Sequence, residues 1–195
     1  MNMQEYLKVS AFTYREYCDY LQQKYGCGTA DYMIREKGKS KWSKNRACTR
    51  TMDGLYAHHK MEDCANMLSV TTEAIKYPFA WQKAENIVYC DALEHLFLHI
   101  LIKEYPAGKN IGSRGLHRFI IPSLNDVFSG YISNLAWERR CNDMVVNDKD
   151  VYIALMRRYL SFNPSNTKRK AVQASAHLQR GWALENNRAL IEQFM

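Results

Sequence analysis

No run of about eighteen apolar residues occurs anywhere in this 195-residue chain, so no segment is written as a membrane-spanning helix. The first residues, MNMQEYLKVSAFTYREY, lack the basic-then-apolar layout of a secretory signal. No two of the six cysteines (Cys18, Cys27, Cys48, Cys64, Cys90 and Cys141) are separated by just two residues. Without a signal they read as reduced thiols, not as a disulfide framework, and the expected location is cytoplasmic. No internal repeat or low-complexity tract is present. The glycine-rich AGKNIGSRG after Tyr105-Pro106 does not fit GxxxxGK[ST] and follows a helical pattern, so it is expected as a linker, not a phosphate cradle.

What the chain does have is apolar mass and positive charge. A 47% hydrophobic and 12% aromatic composition suits a globular protein. The net charge of +7 points toward nucleic acid or another anionic surface. Two stretches concentrate it. Between residues 31 and 53, Arg35, Lys37, Lys39, Lys41, Lys44, Arg46 and Arg50 surround Trp42, a pattern suited to tracking phosphates with an aromatic that stacks or wedges. A solvated basic loop is the plainer account of the same run. From Val151 to Leu184 there is no Asp or Glu, while Arg157, Arg158, Lys168, Arg169, Lys170 and Arg180 are all basic, which makes a second candidate nucleic-acid surface.

Four of the six histidines form two pairs, His58-His59 and His95/His99. Residues four apart on a helix stand on one face, so a helix through the apolar segment Ile87 to Leu101 would offer both the His95 and His99 imidazoles to one ion. A core helix with two hydrogen-bonded histidines would carry the same spacing. Asn86 opens that segment, nine residues before His95 and thirteen before His99.

His58-His59, then Asn86, His95 and His99 with an apolar helix around the last two, resembles the HNH (ββα-metal) nuclease motif over about residues 47–102. The resemblance implies a hairpin and a helix around a divalent ion, with DNA phosphodiester hydrolysis leaving 5′-phosphate and 3′-hydroxyl ends. It further implies His59 as general base, His58, His95 and His99 as metal ligands, and Asn86 bracing the loop and holding the base. Neighbouring strand residues point to opposite faces, so the roles of His58 and His59 could be exchanged unless the strand ends or bulges there. Three imidazoles favour zinc, nickel or another transition ion such as manganese over magnesium. Many members of that family hold an extra structural zinc with CxxC pairs; Asp91 and Glu94 stand where one such pair would be, which argues against a second zinc here. DNA is the expected partner, with RNA as the alternative substrate. Cutting both strands would call for a homodimer, and the expected setting is a bacterial or phage-infected cell. A zinc-stabilised DNA- or protein-binding module without catalysis is the rival function.

The expected architecture is α+β and mostly helical: an N-terminal helix unit (1–30), the ββα-metal core with its basic lead-in (31–104) and a helical extension for DNA or a partner (105–195). Single helices are expected over 3–25, 122–142, 148–162 and 171–194, a strand over 51–60 and a short helix within 64–74. Glu62 and Asp63 are expected as surface acids or outer hydrogen-bond partners of a ligand histidine.

Overall fold

A Thr-x-x-Glu sequence divides the first helical stretch in two. Glu16 Oε2 accepts from the Thr13 amide at 2.8 Å while Thr13 Oγ1 accepts from the Glu16 amide, a reciprocal cap that starts a helix. The computed structural model describes residues 1–35, 42–104, 111, 113–162, 169 and 172–195. It has two helices, α1 (Met3–Val9) and α2 (Tyr14–Tyr25), where periodicity alone predicts one. Apolar spacing runs on across the break; the cap does not.

A first antiparallel pair, β1 (Met33–Arg35) and β2 (Trp42–Lys44), sets Ile34 opposite Ser43. Trp42 is buried and packs edge-on against Phe79 at 5.1 Å, so it is a core residue and not the exposed stacking side chain expected. The expected strand over 51–60 is shorter. Thr51–Asp53 is a 3-10 turn that ends at Gly54, whose φ is +78°, and a Cβ there would lie 2.4 Å from Met144 Cγ. Only glycine satisfies both conditions. The strand proper is β3 (Tyr56–His59), antiparallel to β4 (Ile87–Cys90), with His58 opposite Val88 and His59 opposite Ile87. Between them the expected helix shrinks to α3 (Thr71–Ala74), because Met67 adopts φ +59° and a right-handed helix cannot pass through it.

Helix α4 (Ala92–Glu104) follows β4 after one residue. Asp91 Oδ1 accepts from the Glu94 amide at 2.8 Å and Glu94 Oε2 from the Asp91 amide at 2.7 Å, so both acids cap this helix. Nine of its residues are buried, as an apolar helix surrounded by others must be. A helical run then comprises α5 (Ser113–Gly115), a π turn over Leu116–Ile120 and α6 (Ile121–Phe128). Pro122 has no N–H to donate to the carbonyl four residues back, which suits the widened turn. Gly130, at φ +100°, closes the run, and α7 (Ala136–Asp143) is separate, correcting the single helix expected over 122–142. Helix α8 (Lys149–Ser161) matches its expectation closely. The expected last helix is instead a set of short turns, Leu178–Arg180 and Leu184–Asn187, before a helix at Arg188–Ile191; Gly181 at φ +84° interrupts it.

The protein is thus α+β, mostly helical, with two small antiparallel sheets among the described residues. One buried cluster gathers Tyr6, Leu21, Val88, Phe97, Tyr152 and Phe194, so residues from all parts of the chain share a core. Among the described residues no helix is long and apolar enough to cross a membrane.

Candidate functional site

The pleat of β3 separates its two histidines. His58 turns toward α4, where its ring centroid lies 5.2 Å from those of both His95 and His99. One helical turn sets His95 and His99 5.0 Å apart. One nitrogen from each of these three rings lies within 4.8 Å of the others. His58 and His99 are buried and His95 partly so. His59 faces the other way, with its ring 4.4 Å from that of Tyr32 and its Nε2 3.0 Å from Gln82 Oε1.

The chain turns at once after β3, with the Glu62 amide donating to the His59 carbonyl at 3.0 Å. That turn carries the Glu62 carboxylate into the space between the imidazoles. Its oxygens lie 3.7 Å from His58 Nδ1, 3.5 Å from His99 Nε2 and 3.7 Å from His59 Nδ1. These separations are too long for good hydrogen bonds. Two ligands at about 2.1 Å from a tetrahedral ion stand about 3.4 Å apart, close to the Glu62 distances to His58 and His99. Glu62 is therefore central to the site and not a surface acid.

Two partners set the ring protons. Tyr14 donates its one hydroxyl proton to the His59 carbonyl at 3.1 Å, so its oxygen is left to accept from His58 Nε2–H at 2.8 Å. The Nδ1 lone pair of His58 then faces Glu62, and this buried atom has no hydrogen-bond partner among the described residues. Gln82 is oriented by its amide N–H, which donates to the Leu68 carbonyl at 3.3 Å. Its oxygen therefore accepts from His59 Nε2–H, leaving Nδ1 of His59 as the basic nitrogen on the Glu62 side.

Burial governs the charges. It pushes His58 down to about 3, with Glu62 opposing the shift, and holds His95 well below the ordinary imidazole range. Burial works against ionising Glu62, but His58, His59 and His99 together hold its carboxyl well below the usual range. Burial also keeps the Tyr14 phenol protonated. At neutral pH the neutral imidazoles of His58 and His95 and the Glu62 carboxylate face a shared space, which is chemistry for a cation.

Asn86 does not reach His59. Its side chain donates to the Ala80 carbonyl at 2.8 Å and its own carbonyl accepts from the Lys60 amide at 2.8 Å, so it braces the loop and the hairpin mouth. The hold on His59 expected of Asn86 belongs to Gln82. Of the basic candidates, Lys44 and Arg46 are exposed, and Lys44 Nζ lies 5.9 Å from the centroid of the Tyr32 ring that abuts His59. Arg50 is committed internally, donating to the Tyr25 carbonyl at 2.8 Å and to Asp53 at 2.8 Å. Arg169 is exposed, far along the chain from this hairpin. Lys39, Lys41, Lys168 and Lys170 lie outside the described residues.

Tyr14, Gln82 and the central position of Glu62 were not expected. Glu62 had a signal, since an acid three residues after a histidine can return to it through one tight turn. Tyr14 and Gln82 had none. No protein-family model matches the chain, and no curated protein or solved structure is significantly similar to it.

Proposed function

We propose that the chain is a metal-dependent endonuclease of the HNH (ββα-metal) type that hydrolyses DNA phosphodiester bonds. The observation that carries this reading is the convergence of His58, His95 and His99 on one space with Glu62 among them. An order of hairpin strand, hairpin strand and helix around that space, β3, β4 and α4, supports it further. The buried, unpartnered Nδ1 of His58 supports an ion at this place, because leaving such an atom without a partner is costly unless something binds it.

His58, His95 and His99 would hold the ion, with Glu62 as a further oxygen ligand or as the group that aligns it. A zinc, nickel or manganese ion suits the imidazoles, and the Glu62 oxygen makes the set more hospitable to magnesium than three imidazoles alone. When bound, a divalent ion supplies neutralisation of the charge that builds on the phosphate and on the leaving oxygen.

His59 takes the proton from the attacking water at Nδ1. Gln82 accepts from Nε2–H and so fixes the tautomer and ring direction, and it stabilises the imidazolium as it forms. Tyr14 does the same for the tautomer of His58, the part an outer hydrogen-bond partner plays for a ligand. Lys44, whose Nζ lies 5.9 Å from the Tyr32 ring beside His59, and the exposed Arg46 would meet the DNA backbone.

The test is plasmid nicking with and without EDTA, beside His59→Ala. Wild-type protein is expected to nick only with the ion present. His59→Ala is expected to bind the ion equally well and to nick about 10²- to 10⁴-fold more slowly. Nicking at the wild-type rate by His59→Ala would remove the base assignment. Stoichiometric ion with no nicking by any form would favour a zinc-stabilised binding module.

A further inference from the structure

We infer that the cavity beside His95 seats one unpaired base of the DNA strand being cut, so that the protein works on single-stranded or locally opened DNA; this rests on the nuclease reading above. The cavity has a volume of about 400 Å³. That falls in the range of small-ligand pockets, roughly 300–1,000 Å³, and admits a nucleotide but not a double helix.

His95 belongs both to the imidazole cluster and to the cavity wall, so the two spaces adjoin. Facing it are Phe119 and Trp137, which are 58% and 40% exposed. Large aromatic rings left in water around a concave site offer flat faces on which any base can stack. Tyr56, stacked on His95 at 5.9 Å and 26°, extends this aromatic wall to the imidazoles.

The lining also has a polar part, Glu138, His177 and Arg180. Arg180 donates to Glu138 Oε2 at 3.0 Å, and Glu138 also contacts Ser133 and His177, so the one acid of the lining is already paired. The Arg180 side chain stays 49% exposed, leaving donors for the carbonyl and ring-nitrogen acceptors on a base edge. A cavity lined by aromatic rings and a cation, adjoining a candidate phosphate-cleaving centre through His95, matches a base and its flanking phosphate better than it matches an apolar ligand.

The test is equilibrium binding by fluorescence anisotropy, in EDTA so that nothing is cut. The full chain is titrated against a short fluorescein-labelled oligonucleotide, single-stranded or annealed to its complement. Phe119→Ala and Trp137→Ala truncate exposed side chains, and their folding is checked by circular dichroism. Each is expected to weaken single-strand binding about ten-fold, with duplex binding little changed and Trp137→Phe near the wild type. Single-strand binding by both alanine variants at the wild-type affinity overturns the inference. If the wild type then still nicks plasmid only with the ion present, the nuclease reading stands and the base pocket alone falls. Wild-type protein that neither nicks nor binds either form of DNA brings down both.

Discussion

Two histidine sites border the same cavity, one through His95 and the other through His177, and they are built in opposite ways. At His177, Nδ1 lies 2.7 Å from Asp126 and Nε2 3.0 Å from Glu138, while the Tyr131 ring stacks on the imidazole at 3.9 Å. Asp126 also accepts from Ser175, from the amides of Ala176 and His177, and from Asn187. At His58 the nearest carboxylate is 3.7 Å away, and the atom facing it has no hydrogen-bond partner among the described residues. Both groups are buried and both contain acids, so neither burial nor composition separates them. Distance does. Contacts near 2.8 Å are closed by hydrogen bonds and hold the C-terminal turns onto α6 and α7. Contacts near 3.6 Å leave room for an ion between the donors.

Four experiments would break or sharpen that contrast. The largest effect is expected from His95→Ala, which should lose both the stoichiometric ion, read by elemental mass spectrometry, and all measurable nicking. An ion that persists at full stoichiometry would mean that the imidazole group is not where it binds. His177→Ala should do the reverse, leaving ion content unchanged while costing about 3 kcal/mol of stability in urea, because two buried carboxylates lose their shared partner. Glu62→Gln keeps the volume and removes the charge. It should weaken ion affinity about 10- to 100-fold by isothermal titration, without the stability loss of the His177 variant.

The smallest effect is an acid one. His58 and His95 have folded-state pKa values below their unfolded value of 6.5, so the unfolded chain binds more protons than the native one at acid pH. Stability of the ion-free protein is therefore present above pH 6.5 and lost as pH falls from there toward about 3. At pH 5.5 the loss amounts to about 1 kcal/mol per imidazole. Thermal unfolding in EDTA at pH 7.5 and 5.5 checks this, and an unchanged midpoint would mean that the rings are not held neutral.

Legibility in the sequence followed the range of each interaction. The facing of His95 and His99 is a property of one helix, and their spacing displays it. Helix α8 was legible for the same reason. Where helices stop was less so, because the Thr13–Glu16 cap and the glycines at 130 and 181 act locally while apolar periodicity continues past them. Trp42 shows the opposite failure. A tryptophan among lysines reads as exposed, but Phe79, thirty-seven residues on, covers it.

The sequence by itself determined which groups are available to the candidate site: imidazoles in two pairs, an apolar helix to carry one pair, and a basic surplus. Only the tertiary structure decided their connections. Tyr14 reaches His58 because α2 packs on β4, and Gln82 reaches His59 because the segment between β3 and β4 folds back over the hairpin. Helical spacing is set by the backbone and can be counted along the chain. A hydrogen bond between residues 44 positions apart depends on how every intervening element packs, and no local pattern encodes it.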